Sequence, residues 1–94
     1  MRIEGSSALV TGAGSGLGEA TARMLASRGA IVHVMDLNAA AAARVADEIG
    51  GVAITGDVAS EADAERAVKT AGEAGDGLRI LVNCAGIGPA ARVI

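Results

Sequence analysis

The chain has 94 residues, a net charge of −3 and no aromatic side chain, although 51% of it is hydrophobic. That length holds one small domain, whose core must be assembled from Ala, Val, Leu, Ile and Met. The acidic balance without a basic cluster argues against nucleic acid or an anionic membrane as a partner, and the longest uncharged stretch, Gly5 to Gly18, has 14 residues, too few to cross a bilayer.

No signal-peptide pattern opens the chain. Cys84 is the sole cysteine and has no partner for an internal disulfide, so a reducing, cytoplasmic setting is the expectation.

After a polar lead-in, Ser7 to Thr11 reads as a buried strand. It runs straight into glycines at alternate positions, Gly12, Gly14, Gly16 and Gly18, and a helical pattern begins at once. A strand, a glycine turn and a helix in that order can grip a dinucleotide's phosphates: the bare backbone approaches closely, and the helix's free N–H groups hold the anion. A strand-to-helix glycine turn also has a purely structural reading. The spacing is not G-x-G-x-x-G, and no Lys-Ser or Lys-Thr follows, which excludes a P-loop.

The pattern predicts a first helix from Gly16 to Arg28, ended by Gly29, with Leu17, Ala20, Met24 and Leu25 on its inner face and Glu19–Arg23 as an outer pair. Ala30 to Met35 is a near-continuous apolar run, as expected of a parallel strand buried on both faces. His33 within it reads as a packed core histidine rather than a metal ligand, because no second ligand lies nearby. Asp36 follows that strand. Asn38 then caps a second helix, Ala39 to Ile49, with Val45 and Ile49 inward and Gly50-Gly51 as its stop.

Val52 to Ile54 reads as a third strand, ending at Gly56-Asp57-Val58. Ser60-Glu-Ala-Asp63 matches a capping box, so a third helix starts near Glu61, with Ala64, Ala67, Val68 and Ala71 inward. Leu78 to Asn83 is a fourth strand, leading into Cys84-Ala85-Gly86. Strand and helix thus alternate. Right-handed crossovers of this length give an α/β, doubly wound parallel sheet of the Rossmann type, order 3-2-1-4, with its crevice at the carboxyl ends of the strands.

Gly12, Asp36, Asp57 and Gly86 all fall just past strand ends on that edge. Asp36 can accept two hydrogen bonds from ribose hydroxyls and would repel a 2′-phosphate. Ser15 and Leu37, where a cation would offset that repulsion, are uncharged, so NAD is expected over NADP. Asp57 could meet an adenine amino group; an ordinary Gly-Asp turn is the plainer alternative. Asn83 can tie neighbouring strands through their backbone groups. Cys84 reads as a small buried thiol, since no base is placed to activate it.

Thr11-Gly12-x-x-x-Gly16-x-Gly18, Asp36, Asp57-Val58 and Asn83-Cys-Ala-Gly86, in register over nearly the whole chain, resemble the N-terminal signatures of short-chain dehydrogenases/reductases. Within that family the Val-Asn-Cys-Ala-Gly-Ile and Gly-Asp-Val-Ala-Ser-Glu stretches look most like type-2 3-hydroxyacyl-CoA dehydrogenases. The resemblance implies hydride transfer between NAD and an alcohol or carbonyl substrate, in a protein that forms homo-oligomers. It implies a cofactor-binding set of Gly12, Gly14, Ser15, Gly16, Leu17, Gly18, Asp36, Leu37, Asp57, Val58, Asn83, Ala85 and Gly86. No catalytic residue and no metal ligand is assigned. The family's Asn-Ser-Tyr-Lys set is not completed here: the chain has no tyrosine, its only lysine is Lys69, and none of its five serines follows a fifth strand.

Residues 1–94 are therefore expected to be the NAD-binding N-terminal part of a longer enzyme, cut after the fourth strand, with weak or no NAD binding alone. Two other classes fit some of these features. A non-catalytic NAD-binding module would explain the missing tyrosine. An S-adenosylmethionine methyltransferase shares the glycine turn and the acid after strand 2, but usually carries an acidic residue where this chain has Thr11.

Overall fold

The computed structural model describes residues 3–84. Seven elements follow one another: β1 (Ser7–Thr11), α1 (Gly16–Ser27), β2 (Ile31–Asp36), α2 (Ala39–Ile49), β3 (Val52–Thr55), α3 (Glu61–Gly72) and β4 (Leu78–Asn83). Among the described residues the strands form one parallel sheet in the order β3-β2-β1-β4. β1 is central and wholly buried. That position explains the apolar run Ala8–Val10 at its centre, since a strand covered on both faces has no polar side to present.

Alternation along the strands sends side chains to opposite faces, and each face has its own core. Ala8 and Val10 of β1 and Val32 and Val34 of β2 pack under α1 and α2, against Ala22, Leu25, Val45 and Ala46. Leu9, Met35 and Ile54 point the other way and meet Ala67 and Ala71 of α3. His33 also lies on this sheet, buried, with its Nδ1 3.2 Å from the Ala8 carbonyl oxygen and 3.3 Å from the Ser7 hydroxyl. It is a satisfied core histidine, as the sequence indicated.

The helix starts are the expected ones. Ser15, Asn38 and Ser60 each accept a hydrogen bond from a backbone N–H in the first turn. α2 stops at Gly50, whose φ of 68° is left-handed.

The inner face of α1 differs from the sequence reading. Leu17 is 60% exposed and Met24 46% exposed; the buried residues are Gly18, Ala22 and Leu25. Two stripes at three- and four-residue spacing run along this helix, and the one with the smaller side chains faces the sheet. A Cβ at Gly18 would collide with the Gly12 carbonyl, so helix and glycine turn are in direct backbone contact there. Val68 of α3 is likewise 45% exposed, while its neighbour Ala67 is fully buried.

The Glu19–Arg23 pair forms and is part of a larger network. Arg23 also reaches Glu48 on α2, and Arg44 of α2 donates to Glu19 at 3.0 Å. Bonds from Arg44 and then Arg23 hold the Glu19 carboxyl below its usual range.

Candidate functional site

The site is built where three strands end side by side. After β1 the chain turns at Gly12, whose φ of 68° suits glycine. The N–H of Gly12 donates to the Met35 carbonyl at 2.8 Å, tying the turn to the end of β2. The Ser15 hydroxyl donates to the Gly12 carbonyl at 2.8 Å and accepts from the Gly18 N–H at 3.2 Å, which closes the turn onto α1. The N–H groups of Gly16 and Leu17 open the helix and have no acceptor among the described residues.

Asp36 ends β2 directly beside this turn. Its Oδ2 accepts the Gly14 N–H at 2.8 Å, and its Oδ1 accepts the Asn38 N–H at 2.9 Å. A Cβ at Gly14 would come within 2.8 Å of Asp36 Oδ2 and of the Ala41 methyl, so glycine there is what lets the carboxylate close in. A Cβ at Gly16, by contrast, would meet nothing within 4 Å.

The third strand end is coupled to the second by the Gly56 N–H, which donates to the Asp36 carbonyl at 3.1 Å. Asp57 follows, with its Oδ1 accepting the Ala59 N–H at 2.9 Å. Its own N–H donates to Asp63 Oδ2 of α3, also at 2.9 Å. That bond above all keeps the Asp63 carboxyl below its ordinary value; burial opposes it, and Arg66 adds a smaller lowering effect.

Together these turns wall a cleft of about 440 Å³, within the range of small-molecule sites. Six of the residues singled out in the sequence line it: Gly12, Ser15, Asp36, Leu37, Asp57 and Val58. Thr11, Met35, Gly56, Ala59 and Cys84 line it as well and were not in that set, although Thr11, Gly56 and Cys84 stand within the motifs quoted above. Gly14, Gly16, Leu17 and Gly18 belong to the adjoining turn and first helical turn but not to the wall. Asn83 lies elsewhere, in a smaller cavity of about 100 Å³ between α3 and the sheet. It does tie strands, but through a side chain, accepting from the Thr11 hydroxyl at 2.7 Å. Ala85 and Gly86 lie outside the described residues. Among those residues no group of three or more His, Cys, Asp or Glu could hold a metal, and no helix is long and apolar enough to cross a membrane.

A family model described as short chain dehydrogenase matches residues 6–93. The chain belongs to the short-chain dehydrogenase family. Similar relatives in that family include a borneol dehydrogenase of Lavandula x intermedia, 40% identical over 97% of this chain and 35% of its own length. A type-2 3-hydroxyacyl-CoA dehydrogenase of Drosophila melanogaster is 42% identical over 96% of this chain and 36% of its own length. Among solved structures, a 3-ketoacyl-(acyl-carrier-protein) reductase from Brucella melitensis complexed with NADH is 44% identical, with a TM-score of 0.78 over 84% of this chain and 34% of its own. A short chain dehydrogenase/reductase from Burkholderia phymatum in complex with NAD is 30% identical, with a TM-score of 0.80 over 86% and 31%. The chain thus spans about a third of the length of these short-chain dehydrogenases.

Proposed function

We propose that the whole protein is an NAD-dependent oxidoreductase moving hydride between NAD and an alcohol or carbonyl compound, and that residues 1–94 form its cofactor-binding part. The observation that carries this reading is the Asp36 carboxylate clamped against the glycine turn at the mouth of the cleft. Each of its oxygens gives one lone pair to a backbone N–H and keeps acceptor capacity for a further donor. Two adjacent ribose hydroxyls supply that pair of donors. A 2′-phosphate brings negative charge instead, and the neighbouring Leu37, 68% exposed, offers no cation against it.

The residues also fit a diphosphate. The unpartnered N–H groups of Gly16 and Leu17 at the positive end of α1 would hold it, and the open space over Gly16 gives it room. Asp57 would accept from an adenine amino group, with Leu37 and Val58 as apolar walls. Asn83, Ala85 and Gly86 would adjoin the nicotinamide half. When bound, the nicotinamide ring supplies the hydride acceptor or donor. This chain's own residues bind and orient; the groups that move the proton belong to the rest of the whole protein. A cytoplasmic, homo-oligomeric enzyme is our reading, and a 3-hydroxyacyl-CoA is the first substrate to try, because that activity is named for a relative 42% identical.

The test uses the whole protein with NAD and a panel of secondary alcohols that includes a 3-hydroxyacyl-CoA, following NADH absorbance. Reduction of NAD, much faster than of NADP, is expected. Binding of NADH without turnover of any alcohol or carbonyl would favour a non-catalytic module instead.

A further inference from the structure

We propose that Asp63 is a positioning residue for the nucleoside end of the cleft: reaching back from α3, its carboxylate fixes the backbone of Asp57 so that the Asp57 side chain is presented to an adenine-type base. This rests on reading the cleft as a nucleotide site.

The motif Ser60-x-x-Asp63 predicts a reciprocal pair, in which the Ser hydroxyl accepts from the Asp N–H and the Asp carboxylate accepts from the Ser N–H. Only the first half is present, with the Asp63 N–H donating to Ser60 Oγ at 3.3 Å. The second half is diverted. The Ser60 N–H donates to the Asp57 carbonyl at 2.9 Å, and Asp63 Oδ2 accepts from the Asp57 N–H at 2.9 Å. Both backbone groups of Asp57 are thereby fixed by the start of α3. The Asp57 N–H is not a helical donor, so capping α3 does not call for this bond.

Neighbouring contacts act in the same sense. Arg66 donates to the Thr55 carbonyl at 2.9 Å, and a Cβ at Gly56 would come within 3.0 Å of the Arg66 guanidinium and the Met35 methyl. The turn is pressed between α3 and β2 with little room to shift. Asp57 Oδ1 is engaged by Ala59, while Oδ2 has no partner among the described residues. That oxygen suits an exocyclic amino group and repels the 6-oxo group of hypoxanthine. Asp63 stays ionised at neutral pH, held so chiefly by the Asp57 N–H, and its grip persists there.

The experiment measures binding of AMP, IMP and nicotinamide mononucleotide to the whole protein. Asp63→Ala should weaken AMP about tenfold, the loss typical of a hydrogen bond to a charged group. It should narrow the preference for AMP over IMP and leave nicotinamide mononucleotide unchanged. Asp63→Asn keeps an oxygen that accepts from the Asp57 N–H and should restore AMP binding. Ser60→Ala removes the helix cap without touching that bond, so it should lower Tm and spare AMP affinity. If Asp63→Ala does not fold, Asp63→Ser, whose hydroxyl is too short to reach, is measured with the same expectation. The proposal is overturned if Asp63→Ala, or Asp63→Ser in its place, binds AMP as the parent does, or if Ser60→Ala loses as much AMP affinity. Failure of the parent protein to bind any of the three ligands would instead overturn the nucleotide reading of the cleft, and this proposal with it.

Discussion

The turns after β1 and β3 face the same cleft but are held in opposite ways. The first is chiefly a backbone device: glycines set its path, the N–H groups of Gly12 and Ala13 donate to the Met35 carbonyl and that of Gly14 to the Asp36 carboxylate, and Gly18 lets α1 touch Gly12. The second is a side-chain device, gripped by Asp63 and Arg66 from one turn of α3. A path set by close backbone contact leaves no room for a methyl at Gly14 or Gly18. One held by exposed charged side chains answers to acid.

The largest effect should come from Gly18→Ala. Alanine normally improves a helix interior by about 1 kcal/mol over glycine. Here its methyl strikes the Gly12 carbonyl, and forcing α1 off the turn should cost about 1–3 kcal/mol net, read as a lower urea midpoint. Gly16→Ala sharpens the contrast. Its methyl meets no described atom within 4 Å, so stability should hold or rise by a few tenths of a kcal/mol, while NADH affinity of the whole protein drops. A parallel loss of stability and affinity would mean that Gly16, too, is there for packing.

Acid should loosen the second turn. Asp63 has its folded value lowered, so its contribution is present above the unfolded carboxylate value near pH 4 and is lost as pH falls through the lower folded value. Stability measured by denaturant should therefore decline in that window, and Asp63→Asn should flatten the decline. The same sign holds for Glu19 on the α1–α2 network, where Glu19→Gln should remove a smaller, salt-screened part of the slope.

Much of the fold was legible because its signals are local. The apolar run at Ala8–Val10, the caps Asn38 and Ser60, and the stop at Gly50 each act within a few residues, and β1, α2 and β4 fall where those signals place them; the cap at Ser15 went unread among the glycines. The meeting of Gly12, Asp36 and Asp57 at one edge followed from parallel topology. What escaped was distance in three dimensions. Hydropathy favours Leu17 and Met24 as the inner face of α1, but close approach to the sheet selects Gly18 and Ala22, and periodicity cannot weigh size against apolarity. The capping box at Ser60 was readable, whereas the redirection of Asp63 to Asp57 depends on how β3 enters the turn. Asn83 had its strand-tying role foreseen but not its partner, since Thr11 becomes its neighbour only once β1 and β4 pair.

Selection of a ribose with free hydroxyls falls, on our proposal, to Asp36, held by the Gly14 N–H. Titrating the whole protein with NADH and NADPH, as the parent and as Asp36→Ala, tests it most directly. The parent should prefer NADH, and Asp36→Ala should lose about tenfold in NADH affinity, the scale of one charge-assisted hydrogen bond, while NADPH binding holds or improves. Equal binding of both dinucleotides by the parent, or an Asp36→Ala variant that takes NADH as well as the parent does, would contradict it.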